Sequence, residues 1–387
     1  MRATRPIYLD HHATTPVDPR VLTAMRPWWE DNFANPHSAE HAMGRAAEAA
    51  VEDARAHIAA LIGAEPREIV FTSGATEANN IAIKGAARFG AGPKRVITSA
   101  TEHKCVLESV RDLGAEGFEP VVLPVGADGL LDLDRLADAL RTPTLLVSVM
   151  AVNNEIGVIQ DLAAIGVLTR AAGAALHTDA AQAAGRIVLD VNAIQADLVS
   201  LTAHKLYGPK GVGALYVRRR PRMRLAPLFS GGGQERGLRS GTLATPLVVG
   251  FGEAARLAGA EMALDEGRIA GQRQRFLDAL AIPGITVNGH PGRRVAGNLN
   301  ISFPGGVDAQ QLMAAAPDLY VSTGSACSSA VVEPSYVLRA LGIPEAQARA
   351  TLRLGFGRFT SPAEADQAAA WLTAAWRQVM ACPQAAE

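Results

Sequence analysis

The chain contains five lysines, at positions 84, 94, 104, 205 and 210. Lys205 alone stands among small and hydroxyl-bearing residues beside a histidine, in SLTAHKLYGPKG. Upstream, the apolar run ALHTD ends on Asp179, and the run DLVSLTAHK ends on His204 and Lys205. An acid and a lysine at the exits of neighbouring strands suit pyridoxal 5'-phosphate chemistry. The lysine holds the aldehyde as a Schiff base, and the carboxylate keeps the pyridine nitrogen protonated so that the ring accepts electrons.

Other residues fit around this pair. FTSGATEANN reads as a strand, a turn and a helix start, whose free N–H groups and Thr76 hydroxyl suit a phosphate. No Walker lysine follows, so a nucleoside triphosphate fits poorly. The plain alternative is that Ser73 or Thr76 only caps the helix. His103, in TEHKCVL, follows another strand end and could stack on a cofactor and move protons near neutral pH. MAVNNEIGVIQD offers Asn154 as a neutral partner for a phenolic oxygen, and Gln182, just after Asp179, could reach the same atom. Turn chemistry is the competing reading for the asparagines.

Cys327 lies in VSTGSACSSAVVEPS, a composition of exposed loops rather than cores. An exposed thiol is a liability unless it is used, so this one reads as a nucleophile that travels. Cys105 and Cys382 sit in helical patterns and read as core or surface filling. Arg353, in the alternating run TLRLGFGRF, could grip a substrate carboxylate through two parallel hydrogen bonds. Arg358 in the same run reads as structural.

These residues need a frame. From EIVFT to GALYV, short β-branched runs alternate with alanine-rich helical patterns, the mark of parallel βαβ units in an open α/β sheet. Such sheets bind ligands beyond the carboxyl ends of their strands. RRRPRMR reads as a solvated surface connection. A long helical pattern covers about 246–280, and NLNISF, TLRLGFG and a final helix over about 362–380 read as a smaller α+β domain. The expected division is 13–260 for the large cofactor-binding domain. The small domain would take 1–12 and 261–387, with the cysteine loop and the arginine.

At 387 residues and 48% apolar content, the chain can bury a large core. A net charge of −1 gives no electrostatic reason to expect nucleic acid or an anionic membrane as partner. The start, MRATRPIYLD, lacks an apolar leader core, and no run of about 18 apolar residues marks a membrane span. Three cysteines are too few and too scattered for a disulfide framework or a zinc site, so a reducing, cytoplasmic setting is expected.

With these residues in view, the chain resembles the cysteine desulfurases, pyridoxal phosphate enzymes of fold-type I in the class V aminotransferase family. The resemblance runs through YLDHHATTPVDPRV, NPHSAEHAMGR, FTSGATEANN, TEHK, NNEIGVIQ, HTDAAQA, SLTAHKLYGPKGVGALYVRR, GGGQERGLRSGT, GSACSSAVVEPSYVLRALG and LRLGFGRFT. The long cysteine loop is similar to that of the group feeding iron–sulfur cluster assembly and tRNA thiolation. The resemblance implies that Lys205 forms the Schiff base, Asp179 pairs with the pyridine nitrogen, and His103 stacks on the ring as acid–base. It gives Asn154 and Gln182 the ring oxygen. The phosphate would fall to Ala75, Thr76, Thr202, His204 and Thr242, the last reaching across from the other subunit of a homodimer. Arg353, with Asn35 and Asn154, would bind L-cysteine. Cys327 would take its sulfur as a persulfide, release alanine and pass the sulfur to an acceptor protein. No resident metal is implied, and a transient iron–sulfur ligand role for Cys327 stays open. Thr202 stands where serine is frequent, with the hydroxyl kept. His11 and His12 receive no role, and a short C-terminal end leaves the acceptor's identity open. The competing readings are a selenocysteine lyase, another enzyme of the same family, and a non-catalytic sulfur carrier that keeps the fold.

Overall fold

The structure is a computed structural model that describes residues 6–90, 92–324 and 334–381. Its strands are β1 (Ile7–Tyr8), β2 (Ile69–Thr72), β3 (Arg95–Ser99), β4 (Glu119–Leu123), β5 (Leu146–Ser148), β6 (Ala175–Asp179), β7 (Leu198–Thr202), β8 (Gly213–Val217), β9 (Thr286–Val287), β10 (Asn298–Ser302), β11 (Leu319–Tyr320) and β12 (Thr351–Gly355). Seven of them form one sheet in the order β2-β8-β7-β6-β5-β3-β4.

Strands β5, β7 and β8 are buried along their whole length, as apolar runs covered on both faces require. Neighbouring residues of one strand enter different cores. Ile97, Val147 and Val199 face the helices Ala42–Leu61 and Thr245–Ala279. Val96, Leu146 and Leu198 face Ala75–Ala87 and Lys104–Asp112. β3 to β7 pair in parallel, whereas β8 runs antiparallel to both β7 and β2. A parallel return needs a crossover of about a dozen residues or more, usually helical. The link from Thr202 to Gly213 holds only a short 3-10 turn, Ala203–Lys205, so the chain doubles back. Because β2 and β7 both oppose β8, they point the same way and open onto the same edge.

A second core joins Ile7 and Leu9 to Ile269, Phe276, Leu299, Ile301, Leu352 and Leu372. It covers the antiparallel sheet β12-β10-β9 and the parallel pair β1-β11. The long helix Thr245–Ala279 serves both cores, with Phe251 and Ala255 in the first and Ile269 and Phe276 in the second. Arg358 clamps the junction. It donates to Asp18 at 2.8 Å and to Asp265 at 2.7 Å, with Tyr207 stacked 4.5 Å beneath it. Arg358 is thus structural, as read from the sequence. One reading needs correction: Arg218, the first of RRRPRMR, is buried and donates to the Ala196 and Val191 carbonyls at 2.8 Å each. Arg219 to Arg222 are exposed. Among the described residues, no helix is long and apolar enough to cross a membrane.

Candidate active site

Five strand exits meet at one edge. β2 leads into residues 73–76, β3 toward His103 and β5 toward Asn154, while β6 ends on Asp179 and β7 runs into Lys205. All of these line one cavity of about 1210 Å³, together with Gln182, Thr202, His204, Arg353, Thr323, Gly324 and Pro334. This is the carboxyl edge where open α/β sheets bind ligands.

Lys205 lies on the cavity wall with its amine among backbone carbonyls. Nζ donates to Ala13 O at 2.9 Å and to His12 O. Burial lowers its pKa to about 7, and the nearby cations Arg186 and Arg353 add to that effect. A neutral amine has two N–H bonds, which these two carbonyls accept, and a lone pair left free for a carbonyl carbon. Arg186 is a cation the sequence reading missed. It is half-buried, donates to His11 O at 3.1 Å and Lys205 O at 3.2 Å, and holds the Gln182 side chain.

Asp179 accepts from Ala181 N at 2.9 Å through one oxygen and from the Asn79 amide at 2.7 Å through the other. The second N–H of that amide points at Cys105 Sγ, 3.1 Å away. Cys105 packs against the core around Val106, as its helical pattern implied, and also lines the cavity. Its thiol is pushed up to about 12 by burial and by Asp179. His103 caps the helix Lys104–Asp112, its Nδ1 accepting from Cys105 N. Burial pulls its pKa below the ordinary histidine value, against the opposing field of Asp179.

The opposite end of the cavity is built for an anion. The helix Ala75–Ala87 starts at the cavity, and its first internal bond runs from Ala78 N to Gly74 O. The N–H groups of Ala75 and Thr76 thus have no partner inside the helix. Glu77 braces the turn by accepting from Ser73 N at 2.6 Å and from Arg239 at 2.8 Å. Gly213 permits the close approach of β8, since a Cβ there would lie 2.6 Å from Gly74 Cα. His204 Nδ1 lies 3.1 Å from Thr14 Oγ1, and burial, helped by nearby basic groups including Lys210 and Arg186, lowers its pKa to about 4. The ring is therefore neutral at pH 7.

At the outer wall, Arg353 on β12 donates to Asp10 at 2.8 Å and to Asn154 O at 3.1 Å. Its Nε is buried without a partner, as is Asn154 Oδ1. Buried polar atoms are rarely left unpaired, so both point to a ligand. Gln182 lines the cavity, but its amide is spent on His12 O at 2.8 Å and on Arg186. Asn35 and Thr242 are exposed and lie outside this lining. Thr242 belongs to a loop anchored by Glu235, which pairs with buried Arg55 at 2.8 Å and accepts from Phe71 N at 2.7 Å. Cys327 and Cys382 lie outside the described residues. The described neighbours of segment 325–333 converge on Glu155. Ser335 Oγ donates to its carboxylate at 2.5 Å. Gly324, at φ +86°, sits so close that a Cβ would come within 2.8 Å of Glu155 Oε2.

These features fit pyridoxal phosphate: an amine of low pKa, an acid deep in the cavity, a helix start for the phosphate, and orphaned polar atoms between them.

Residues 7–367 match the family Aminotransferase class-V. "Cysteine desulfurase, mitochondrial" of Arthroderma benhamiae is 57% identical over 94% of this chain and 73% of its own length. "Cysteine desulfurase IscS" of Rickettsia bellii is 53% identical over 94% of this chain and 89% of its own length. A solved NifS-like protein superposes with a TM-score of 0.90 at 32% identity, covering 96% of this chain and 100% of that one. The chain belongs to the class-V aminotransferase family, with the α/β fold of its NifS-like members. Within that family it stands among the cysteine desulfurases.

The state of the Lys205 amine can be read directly. Competitive acetylation of the apoprotein should show Lys205 gaining reactivity as pH rises through about 7. A free lysine amine in a model peptide does so near about 10.4. A midpoint for Lys205 in the upper range would contradict the buried, cation-flanked setting.

Proposed function

We propose that this chain converts L-cysteine to L-alanine, taking the sulfur as a persulfide on Cys327 and passing it to an acceptor protein. The observation that carries the reading is the meeting of Lys205, Asp179, His103 and Arg353 in one cavity, whose rim includes Gly324 and Pro334 beside the Cys327 segment. The cofactor is pyridoxal 5'-phosphate. When bound, it supplies an aldehyde for the substrate amine and a ring that takes up the electron pair released at Cα.

The chain's own residues do the rest. Asp179, steadied by Asn79 and Ala181 N, keeps the ring nitrogen protonated. Ala75, Thr76, Thr202 and His204 hold the phosphate, while Asn154 faces the ring oxygen and Gln182 approaches it once its amide turns from His12. Arg353 binds the substrate carboxylate through its free Nε, with Asp10 fixing the far side of the guanidinium. Lys205 takes the Cα proton with the lone pair its low pKa leaves available. The Cys327 thiolate then attacks the substrate sulfur. An S–S bond forms, the C–S bond breaks, its electron pair stays with the carbon, and protonation gives alanine.

Thr242 and the brace of Glu235 and Arg55 behind it support a homodimer in which this loop completes the partner's phosphate site. Asn35 joins the substrate side from its exposed turn. The large domain is 13–260, and the small domain is 1–12 with 261–387. The acceptor belongs to iron–sulfur cluster assembly or tRNA thiolation, in the cytoplasm.

Cys327→Ser should keep the visible absorbance of the bound cofactor yet release no sulfide from cysteine. Normal desulfuration by that variant would dismiss Cys327 as nucleophile. Arg353→Ala should lower kcat/KM for L-cysteine by roughly 10- to 150-fold, since hydrogen bonds to charged groups contribute about 1.5–3 kcal/mol. Lysine at 353 should restore little of this, because it lacks the planar fork. Steady-state kinetics with alanine as the measured product would also exclude a keto-acid product.

A further inference from the structure

The His12 side chain is buried and unpartnered. Its backbone oxygen serves Lys205 and Gln182. Its imidazole is 1% exposed, and both ring nitrogens lack a hydrogen-bond partner among the described residues. A neutral imidazole carries one N–H and one lone pair, and buried polar groups are rarely left unpaired. His12 lines the cavity that also holds Lys205 and Arg353. Two orphaned nitrogens at such a place point to a ligand.

The backbone shows which corner of the cavity the ring borders. A Cβ on Gly355 would come within 2.8 Å of His12 Nδ1. Gly355 and Arg353 stand two apart on β12, so their side-chain directions share one face of the strand. The ring therefore lies over the face of β12 that carries Arg353, whose own Nε is orphaned. The phosphate end is elsewhere, at the start of the helix Ala75–Ala87.

The surrounding charges select the ligand. Arg186, Arg353 and Lys205 face His12, and each adds to burial in opposing a proton on the ring. His11, its neighbour, is itself neutral at pH 7, since burial lowers its pKa to about 4. Asp10, two residues earlier, is spent on Arg353 at 2.8 Å. The ring is thus a neutral donor in a positive field, which suits an anion that accepts hydrogen bonds. We infer that His12 is a substrate-binding residue whose ring N–H joins Arg353 Nε in holding the α-carboxylate of the amino acid. This rests on the desulfurase reading and deepens it.

The probes are L-alanine, the product, and ethylamine, which is alanine without its carboxylate. Each is titrated into the holoprotein, and binding is read from the change in the cofactor's visible band as the probe's amine replaces Lys205. His12→Phe keeps the bulk of the ring and removes its nitrogens, whereas His12→Gln supplies an amide N–H. The phenylalanine variant should bind L-alanine about tenfold or more weakly, the loss expected for a hydrogen bond to a charged group. Its ethylamine binding should match that of the unaltered chain. KM for L-cysteine should rise in parallel, with kcat changed less. The glutamine variant should regain most of the L-alanine affinity, which a role in packing alone would not allow. Unchanged L-alanine affinity in His12→Phe, or equal losses for the two probes, would leave water as the ring's partner and overturn the inference. If that variant fails to fold, nitrogen-15 NMR of the His12 ring in the unaltered holoprotein decides. L-alanine must then shift its N–H signal more than ethylamine does, and equal shifts would overturn the inference. An unaltered holoprotein whose band ignores both probes would instead strike the desulfurase reading, and this inference with it.

Discussion

The site is organised around one buried lysine amine whose pKa its surroundings lower to about 7. The Lys205 amine is largely buried, faces Arg186 and Arg353, and among the described residues donates to the carbonyl oxygens of His12 and Ala13. Those carbonyls come from the N-terminal segment, so this segment forms part of the amine's setting. It is held by several bonds. Tyr8 donates to Asp10 O and Thr14 O at 3.0 Å each, Thr15 bonds His204 O, and Gly355 N donates to Leu9 O at 2.6 Å. The segment thus spans the large sheet and the β12 strand that carries Arg353. Positioning of the Lys205 amine and of the Arg353 guanidinium is thereby one problem with one solution.

The same economy appears around Asp179. A carboxylate alone in a dry cavity costs several kcal/mol unless it is hydrogen-bonded. Here Asn79 and Ala181 N supply the bonds, and Asn79 reaches on to Cys105, which reaches His103. The acid, the amide, the thiol and the imidazole form one chain of contacts joining three strand exits.

Much of this was legible beforehand, and the reasons for the gaps are physical. The buried strands and the long helix declared themselves because continuous apolar runs and sustained periodicity are strong signals. The reversed direction of β8 followed from a short link whose length was in plain sight between Thr202 and Gly213. Cys105 packs against a core as its helical pattern implied, but periodicity did not show that the cap at His103 also brings its thiol to the cavity. A histidine at a strand exit followed two residues later by a cysteine at a helix start was the signal available. Arg186 and the His12 and Ala13 carbonyls left no trace in the sequence. A buried arginine looks like any other, and backbone oxygens have no residue type.

The central claim is that a neutral amine at 205 prepares L-cysteine for attack by the thiol at 327. The most direct measurement is mass spectrometry of the Cys327 peptide after a single exposure of the holoprotein to L-cysteine, alongside Lys205→Ala treated identically. The added sulfur should appear on Cys327 in the first and be absent in the second. Sulfur on Cys105 or Cys382 alone, or equal sulfur on Cys327 without the lysine, would contradict the account.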